Sequence, residues 1–183
     1  MSLKEQQNLL ARLYTDSDLR EKFFAEPDKI GFDFNLTRRE IAEIVEIAPQ
    51  ELDFFAESLF WKRLREAEKF IPLTVKILGC DFPPLFRQFS QTFNPQTVRK
   101  HLEDALEFCR FLQKGEVSEI ALNVALFERT KIEFFGYGKR LAFCKLAFEI
   151  EPFLADNRTE NLKRKQKFAV WIKLGNKTRH FYI

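Results

Sequence analysis

Phe168-Ala169-Val170-Trp171-Ile172-Lys173-Leu174-Gly175-Asn176-Lys177-Thr178-Arg179-His180-Phe181-Tyr182-Ile183 is the stretch that decides the fold. β-Branched and aromatic residues dominate it, and a Gly-Asn pair divides it into two arms. A two-residue turn with glycine first suits the type II′ hairpin. Counting outward from it pairs Ile172 with Arg179, Trp171 with His180, Val170 with Phe181, and Phe168 with Ile183. Phe168, Val170, Ile172 and Leu174 then share one face, and the pairs of that face are apolar. This face is expected to fill the core.

Upstream, Ala142, Cys144, Leu146, Phe148 and Ile150 alternate with Phe143, Lys145, Ala147 and Glu149, so residues 141–150 read as a further strand. The period changes at Gly136 and Gly138, which flank Tyr137. Before them the apolar spacing is helical. Ser2 and Glu5 make a capping box for a helix carrying Leu9, Leu10 and Leu13. Asp16 or Ser17 caps a second helix, with Leu19, Phe23 and Phe24 inward and Pro27 as its stop. Thr37 and Glu40 make another box, ahead of Ile41, Ile44 and Val45. A long helix runs from Pro49 to Phe70, with Leu52, Phe55, Leu59, Leu64 and Ala67 along one stripe. Pro72 starts a short helix closed by Gly79, and Pro83-Pro84 open one with Leu85, Phe86 and Phe89 inward. Thr97 begins the next, through Val98, Leu102 and Cys109 to Gly115, and Ser118 begins the last. The fold class is therefore α+β: an N-terminal all-helical part followed by a small antiparallel β-sheet with a C-terminal hairpin. The division expected is 1–116, a helical domain, and 117–183, a helix plus the sheet.

Hydrophobic residues make up 45% of the 183, and 22 are Phe, so most Phe must lie in a core or at an interface. Charge is unevenly spread. Residues 1–116 carry 17 Lys/Arg against 20 Asp/Glu, whereas residues 117–183 carry 13 against 7. Most of the basic excess follows Arg158, in Lys163, Arg164, Lys165 and Lys167. A solvated polar segment from Ala155 to Lys167 accounts for it, and a docking surface for an acidic partner or a phosphate backbone is the alternative. No signal-peptide core and no membrane-length apolar run occurs. Cys80, Cys109 and Cys144 read as reduced, buried thiols of a cytoplasmic protein.

Catalytic constellations are missing from the sequence. His101 and His180 are the only histidines, and no Cys-x-x-Cys or His-x-x-x-His occurs, so no metal site is expected. None of the cysteines has an evident base beside it. Gly136-Tyr137-Gly138 is too short for a phosphate cradle. Glu66 with Glu68, and Glu103 with Glu107, lie on helices rich in Lys and Arg and read as solvated faces. Arg38-Arg39 and Arg99-Lys100 could touch phosphates, but the helical part is net negative and has no continuous basic helix.

Between Trp61 and Leu112 the sequence carries Trp61-Lys62-Arg63, Phe70-Ile71-Pro72, Leu78-Gly79, Phe82, Leu85, Phe89, Asn94-Pro95, Leu102-Glu103-Asp104-Ala105, Phe108 and Phe111-Leu112. This pattern resembles the helical domain of the HvfC-type family, a domain often labelled DNA-binding. Ala125-Leu126-Phe127-Glu128 is similar to the helix that follows in that family. Chain length, extra N-terminal helices and the terminal hairpin look most like its methanobactin-biosynthesis branch, the MbnC-type partner proteins. The resemblance implies a non-catalytic subunit, without a cofactor of its own, in a heterodimer with an iron-dependent barrel enzyme (MbnB-like). That enzyme uses oxygen to convert cysteines of a precursor peptide to oxazolone and thioamide groups. The subunit would stabilise it and bind the peptide leader.

A small sheet has edges, and an edge can add a peptide strand through backbone hydrogen bonds. The expected peptide site is the C-terminal β-region: Lys167, Phe168, Val170, Ile172, Lys173 and Arg179. The three basic residues would keep the edge soluble and meet peptide carboxylates or carbonyls. No catalytic or metal-binding residue, no membrane and no nucleic acid is expected. A transcriptional regulator, as the family label suggests, is the alternative function, and a stand-alone enzyme using Cys80 or Cys144 is the third.

Overall fold

The computed structural model describes residues 3–95, 97–151, 163–175 and 177–183. Helices are followed by a small three-stranded antiparallel sheet, which is the α+β arrangement expected. Contacts divide the chain into a unit Met1–Arg63 and a unit Leu64–Ile183. The 116/117 boundary read from the sequence falls inside the second unit. The Ser2 cap, Asn176 of the turn and residues 155–162 of the polar segment lie outside the described residues. Among the described residues, no helix is long and apolar enough to cross a membrane.

The first unit holds α1 (Leu3–Thr15), α2 (Ser17–Ala25), α3 (Pro27–Asp33), α4 (Arg38–Val45) and the start of α5 (Pro49–Glu68). The Asp16 carboxylate caps α2 by accepting the Leu19 N–H at 2.9 Å. Pro27 opens α3 instead of only stopping α2, because the first helical position needs no N–H. The Thr37–Glu40 capping box is present: Thr37 N–H donates to Glu40 Oε2 at 2.8 Å. Leu9, Leu13, Phe23, Leu36, Ile41 and Ile44 form the core. A Cβ on Gly31 would stand 2.3 Å from Ile41 Cγ1, so α3 and α4 approach where only glycine fits. Val45, Phe55 and Leu59 are exposed, contrary to the expected stripe.

In the second unit, Leu64 and Ala67 of α5 are buried. It continues with α6 (Pro72–Leu78), a 3₁₀ turn (Gly79–Asp81), α7 (Phe82–Thr92), α8 (Lys100–Leu112) and α9 (Glu119–Gly136). Gly79, at φ 55°, ends α6 as expected of a left-handed residue. Phe82, Phe86, Phe89 and Phe108 form a ring cluster between α7 and α8. Thr97 does not begin α8. Its hydroxyl donates to Glu103 and accepts the Arg99 N–H, and Val98 is fully exposed. Ser118 caps α9 by accepting the Ala121 N–H. From α9, Glu128 reaches α6 and accepts the N–H groups of Leu73 and Thr74 at 2.9 and 2.8 Å. Ile71, the residue before α6, offers no side-chain cap, so a carboxylate from another helix takes that role.

The sheet comprises β1 (Leu141–Phe148), β2 (Arg164–Leu174) and β3 (Lys177–Tyr182), in that order, with β2 central. Gly175 sits at φ 61°, as the first position of a primed turn requires. The hairpin register is the one counted from the turn. Its facing is the reverse of the expectation. Ala169 and Trp171 join Ala142, Cys144, Leu146, Phe127 and Val124 in the core, while Phe168 and Leu174 are exposed. The β1–β2 register decides this: Cys144 pairs with Ala169 and Ala142 with Trp171, so the buried face of β1 carries those β2 residues inward.

Candidate functional site

Phe168 and Ile183 exchange both of their backbone hydrogen bonds, at 2.7 and 2.9 Å. Antiparallel ladders alternate, so Val170–Phe181 and Ile172–Arg179 are also bonded pairs. Thr178, His180 and Tyr182 consequently direct their N–H and C=O groups away from β2. None of these groups has a backbone partner among the described residues. This is the free edge of the sheet.

The other edge, β1, is obstructed. Its register shifts between Leu146 and Phe148, a bulge that spoils strand pairing. There Asn123 of α9 plugs it: Asn123 Oδ1 accepts the Ala147 N–H at 2.6 Å, and Asn123 Nδ2 donates to the Phe148 carbonyl at 3.5 Å. Neither a bulge nor a side-chain plug is found on β3 among the described residues.

Aromatic rings under β3 hold it flat. The His180 ring stacks on Trp171 with centroids 4.6 Å apart and planes 8° apart. Tyr182 lies edge-on to His180 and near-parallel to Phe127 of α9. Burial pushes the His180 pKa down, helped by Lys131 and opposed by Glu151. Burial thus favours the neutral form of the imidazole. Burial likewise pushes the Tyr182 hydroxyl up.

The six expected site residues separate. Lys167, Phe168, Val170, Ile172 and Lys173 lie on β2, the central strand, where the ladders to β1 and β3 occupy the backbone of Phe168 to Lys173. Lys167 is also engaged: its Nζ stands 2.9 Å from Glu149 and 2.5 Å from Glu151. Those carboxylates, Glu151 first, raise its pKa. Lys173 is exposed, and its N–H donates to the Arg140 carbonyl at 2.8 Å. Arg179 alone lies on the free edge strand. Phe168, Val170 and Ile172 turn to the outer face of the sheet, beside Phe143, Phe181 and Ile183, and not into the core.

The edge residues Thr178, His180 and Tyr182, and the plug Asn123, escaped the sequence reading. Asn123 did leave a signal, as the one polar side chain within Ala121-Leu122-Asn123-Val124-Ala125-Leu126-Phe127. A buried amide in such a run must find hydrogen-bond partners.

Burial raises the thiol pKa values of Cys109 and Cys144, whereas Cys80 is exposed, against the expectation that all three are buried. Among the described residues, no three His, Cys, Asp or Glu side chains are grouped to hold a metal ion.

No family model and no curated protein matches this chain. The HvfC-type resemblance thus rests on the residues quoted for it. Of these, Leu78, Phe82, Phe89, Phe108 and Leu112 are buried, so they record how helices pack.

Proposed function

We propose that the chain is a non-catalytic partner subunit of an iron-dependent, oxygen-using peptide-modifying enzyme, and that it holds the precursor peptide as a strand added to β3. The free β3 edge carries this reading. Three residues, Thr178, His180 and Tyr182, each offer an incoming strand an N–H and C=O that have no backbone partner among the described residues. Backbone bonding asks little of the peptide sequence, which suits a leader segment. The stack on Trp171 fixes the strand in advance and lowers the ordering cost on the protein side.

An added strand would alternate its side chains between the two faces of the sheet. On one face they would lie beside Arg179 and Phe181, on the other beside His180 and Tyr182. Arg179 is placed to meet a peptide carboxylate or carbonyl. Oxygen and iron chemistry would belong to the partner enzyme, and the subunit would present the peptide to it. Cytoplasmic residence belongs to the same reading, as the resemblance and the unpaired cysteines imply.

The test is co-expression with the iron enzyme, purification of the complex, and titration with the precursor peptide. Thr178→Pro removes an outward N–H and leaves the β2–β3 ladder intact. It should weaken peptide binding by about tenfold, the equivalent of one to two backbone hydrogen bonds. Arg179→Ala should weaken it further. Unchanged affinity in both variants with the fold intact would reject strand addition. A tight, sequence-specific DNA complex at physiological salt would instead favour the regulator.

A further inference from the structure

The outer face of the sheet is an apolar surface that no described residue of its own unit covers. Phe143, Val170 and Phe181 form a row across the three strands, and Phe168 with Ile183 continues it. Phe143 is 65% exposed and Ile183 76%, whereas Trp171 on the inner face is 2% exposed. A sheet buries its apolar faces against other layers, and here α9 supplies only the inner one.

Beside the apolar row the charge has one sign, and Glu149, past the end of β1, is paired with Lys165 and Lys167. Lys145, Lys177 and Arg179 are the charged residues beside that row, all exposed, and none forms an ion pair among the described residues. The inner-side Lys167 contrasts with them, clamped by Glu149 and Glu151. The face is also shaped. Val170 and Ile172 on the central strand are half-buried, while Phe143 on one side and Phe181 on the other stand proud. That leaves a shallow dip over Val170 and Ile172, closed along β2 by the exposed Phe168 and Leu174. Three strands at about 4.8 Å spacing span about 10 Å, the diameter of one α-helix.

We infer that this face docks an amphipathic helix of a partner protein, apolar along one stripe and acidic on its flanks. The stripe covers the apolar row at Val170, and the acidic flanks meet Lys145 on one side and Arg179 and Lys177 on the other. A second copy of the chain is disfavoured, because a two-fold contact would set these three cations against their own copies. An anionic lipid surface is the competing occupant, and the vesicle arm of the test below separates it from the helix. The inference does not depend on strand addition: the two share Arg179 and Phe181, but strand addition needs the backbone of the β3 edge, which Thr178→Pro blocks, whereas docking needs Phe143 and Lys145 on β1.

The test uses the full chain and two fluorescein-labelled helical peptides of about 20 residues, long enough to hold helical structure. Both carry the same Leu stripe, one with Glu flanks and one with Lys flanks. Fluorescence anisotropy should show the Glu peptide binding at least about tenfold more tightly, with the preference shrinking in high salt. Phe143→Ser combined with Phe181→Ser should weaken that binding at least about tenfold while circular dichroism stays unchanged. Lys145→Glu with Arg179→Glu should reverse the preference. Thr178→Pro, which blocks the edge, should leave it unaltered. Equal affinity for the two peptides, binding of neither, or indifference to the Phe substitutions would overturn the inference. So would dimerisation of the free chain through this face in sedimentation, or binding to anionic phosphatidylserine vesicles without binding to the Glu peptide.

Discussion

Asn123 and Ala147 are joined by a 2.6 Å hydrogen bond that plugs the bulged end of β1. The Asn123 side chain is buried, and it supplies from a helix what a neighbouring strand would otherwise supply. The bulged end of β1 is thereby withdrawn from pairing, whereas β3 has neither bulge nor plug among the described residues. Removing the plug leaves a backbone N–H without its acceptor. Asn123→Leu should therefore destabilise the second unit by about 1–3 kcal/mol in urea denaturation. It should also increase self-association, as β1 becomes available for pairing. A variant as stable and as monomeric as the parent would show that the plug does not matter.

Glu128 links stability to pH. Burial raises its pKa, working against the Leu73 and Thr74 N–H groups that favour the carboxylate. The folded state then holds a proton more tightly than the unfolded state does. This contribution is fully present below the ordinary Glu pKa and is lost as pH rises through the raised folded value. Glu128→Gln should flatten that fall in a stability–pH profile, since the amide oxygen still accepts a hydrogen bond but does not titrate. Glu128→Ala should cost about 2–3 kcal/mol by freeing the start of α6. Identical profiles for the parent and Glu128→Gln would contradict the assignment.

Gly31 tests the first unit independently. Its missing Cβ makes room for Ile41, whose Cγ1 and Cδ1 would lie 2.3 and 2.4 Å from an added methyl carbon. Gly31→Ala should destabilise by about 1–3 kcal/mol, the usual range for overpacking, although alanine is the better helix former. Pairing it with Ile41→Val should recover part of the loss in a double-mutant cycle. A stabilised Gly31→Ala chain would mean that α3 and α4 are farther apart than described.

Local signals were readable where chemistry and geometry coincide within a few residues. The Asp16 cap, the Thr37–Glu40 box, the Gly79 stop and the hairpin register all depend on neighbours in sequence. The facing of β2 was not readable in the same way. Both of its faces are apolar in part, Phe168-Val170-Ile172 on one and Ala169-Trp171 on the other, so a period of two cannot say which is buried. The pairing with β1 chooses, and no short turn connects those strands to count from. Placing five of the six expected site residues on the middle strand followed from the same gap. Strand order is a tertiary property, and with β2 in the middle only β1 and β3 have an edge to offer. Phe55 and Leu59 fit a helical stripe by spacing, yet they are exposed on α5. Periodicity locates a face but not the element that covers it.

Amide hydrogen exchange, resolved by residue along β3, tests the central claim most directly. The full chain, in complex with its iron enzyme, would be compared with and without the precursor peptide. Phe181 and Arg179 already bond to β2, so their N–H groups should exchange slowly in both states. Thr178, His180 and Tyr182 face outward, so the account predicts fast exchange without peptide and marked slowing with it, in strict alternation along the strand. Peptide binding with no added protection at these three amides, or protection confined to the helices, would contradict strand addition at β3.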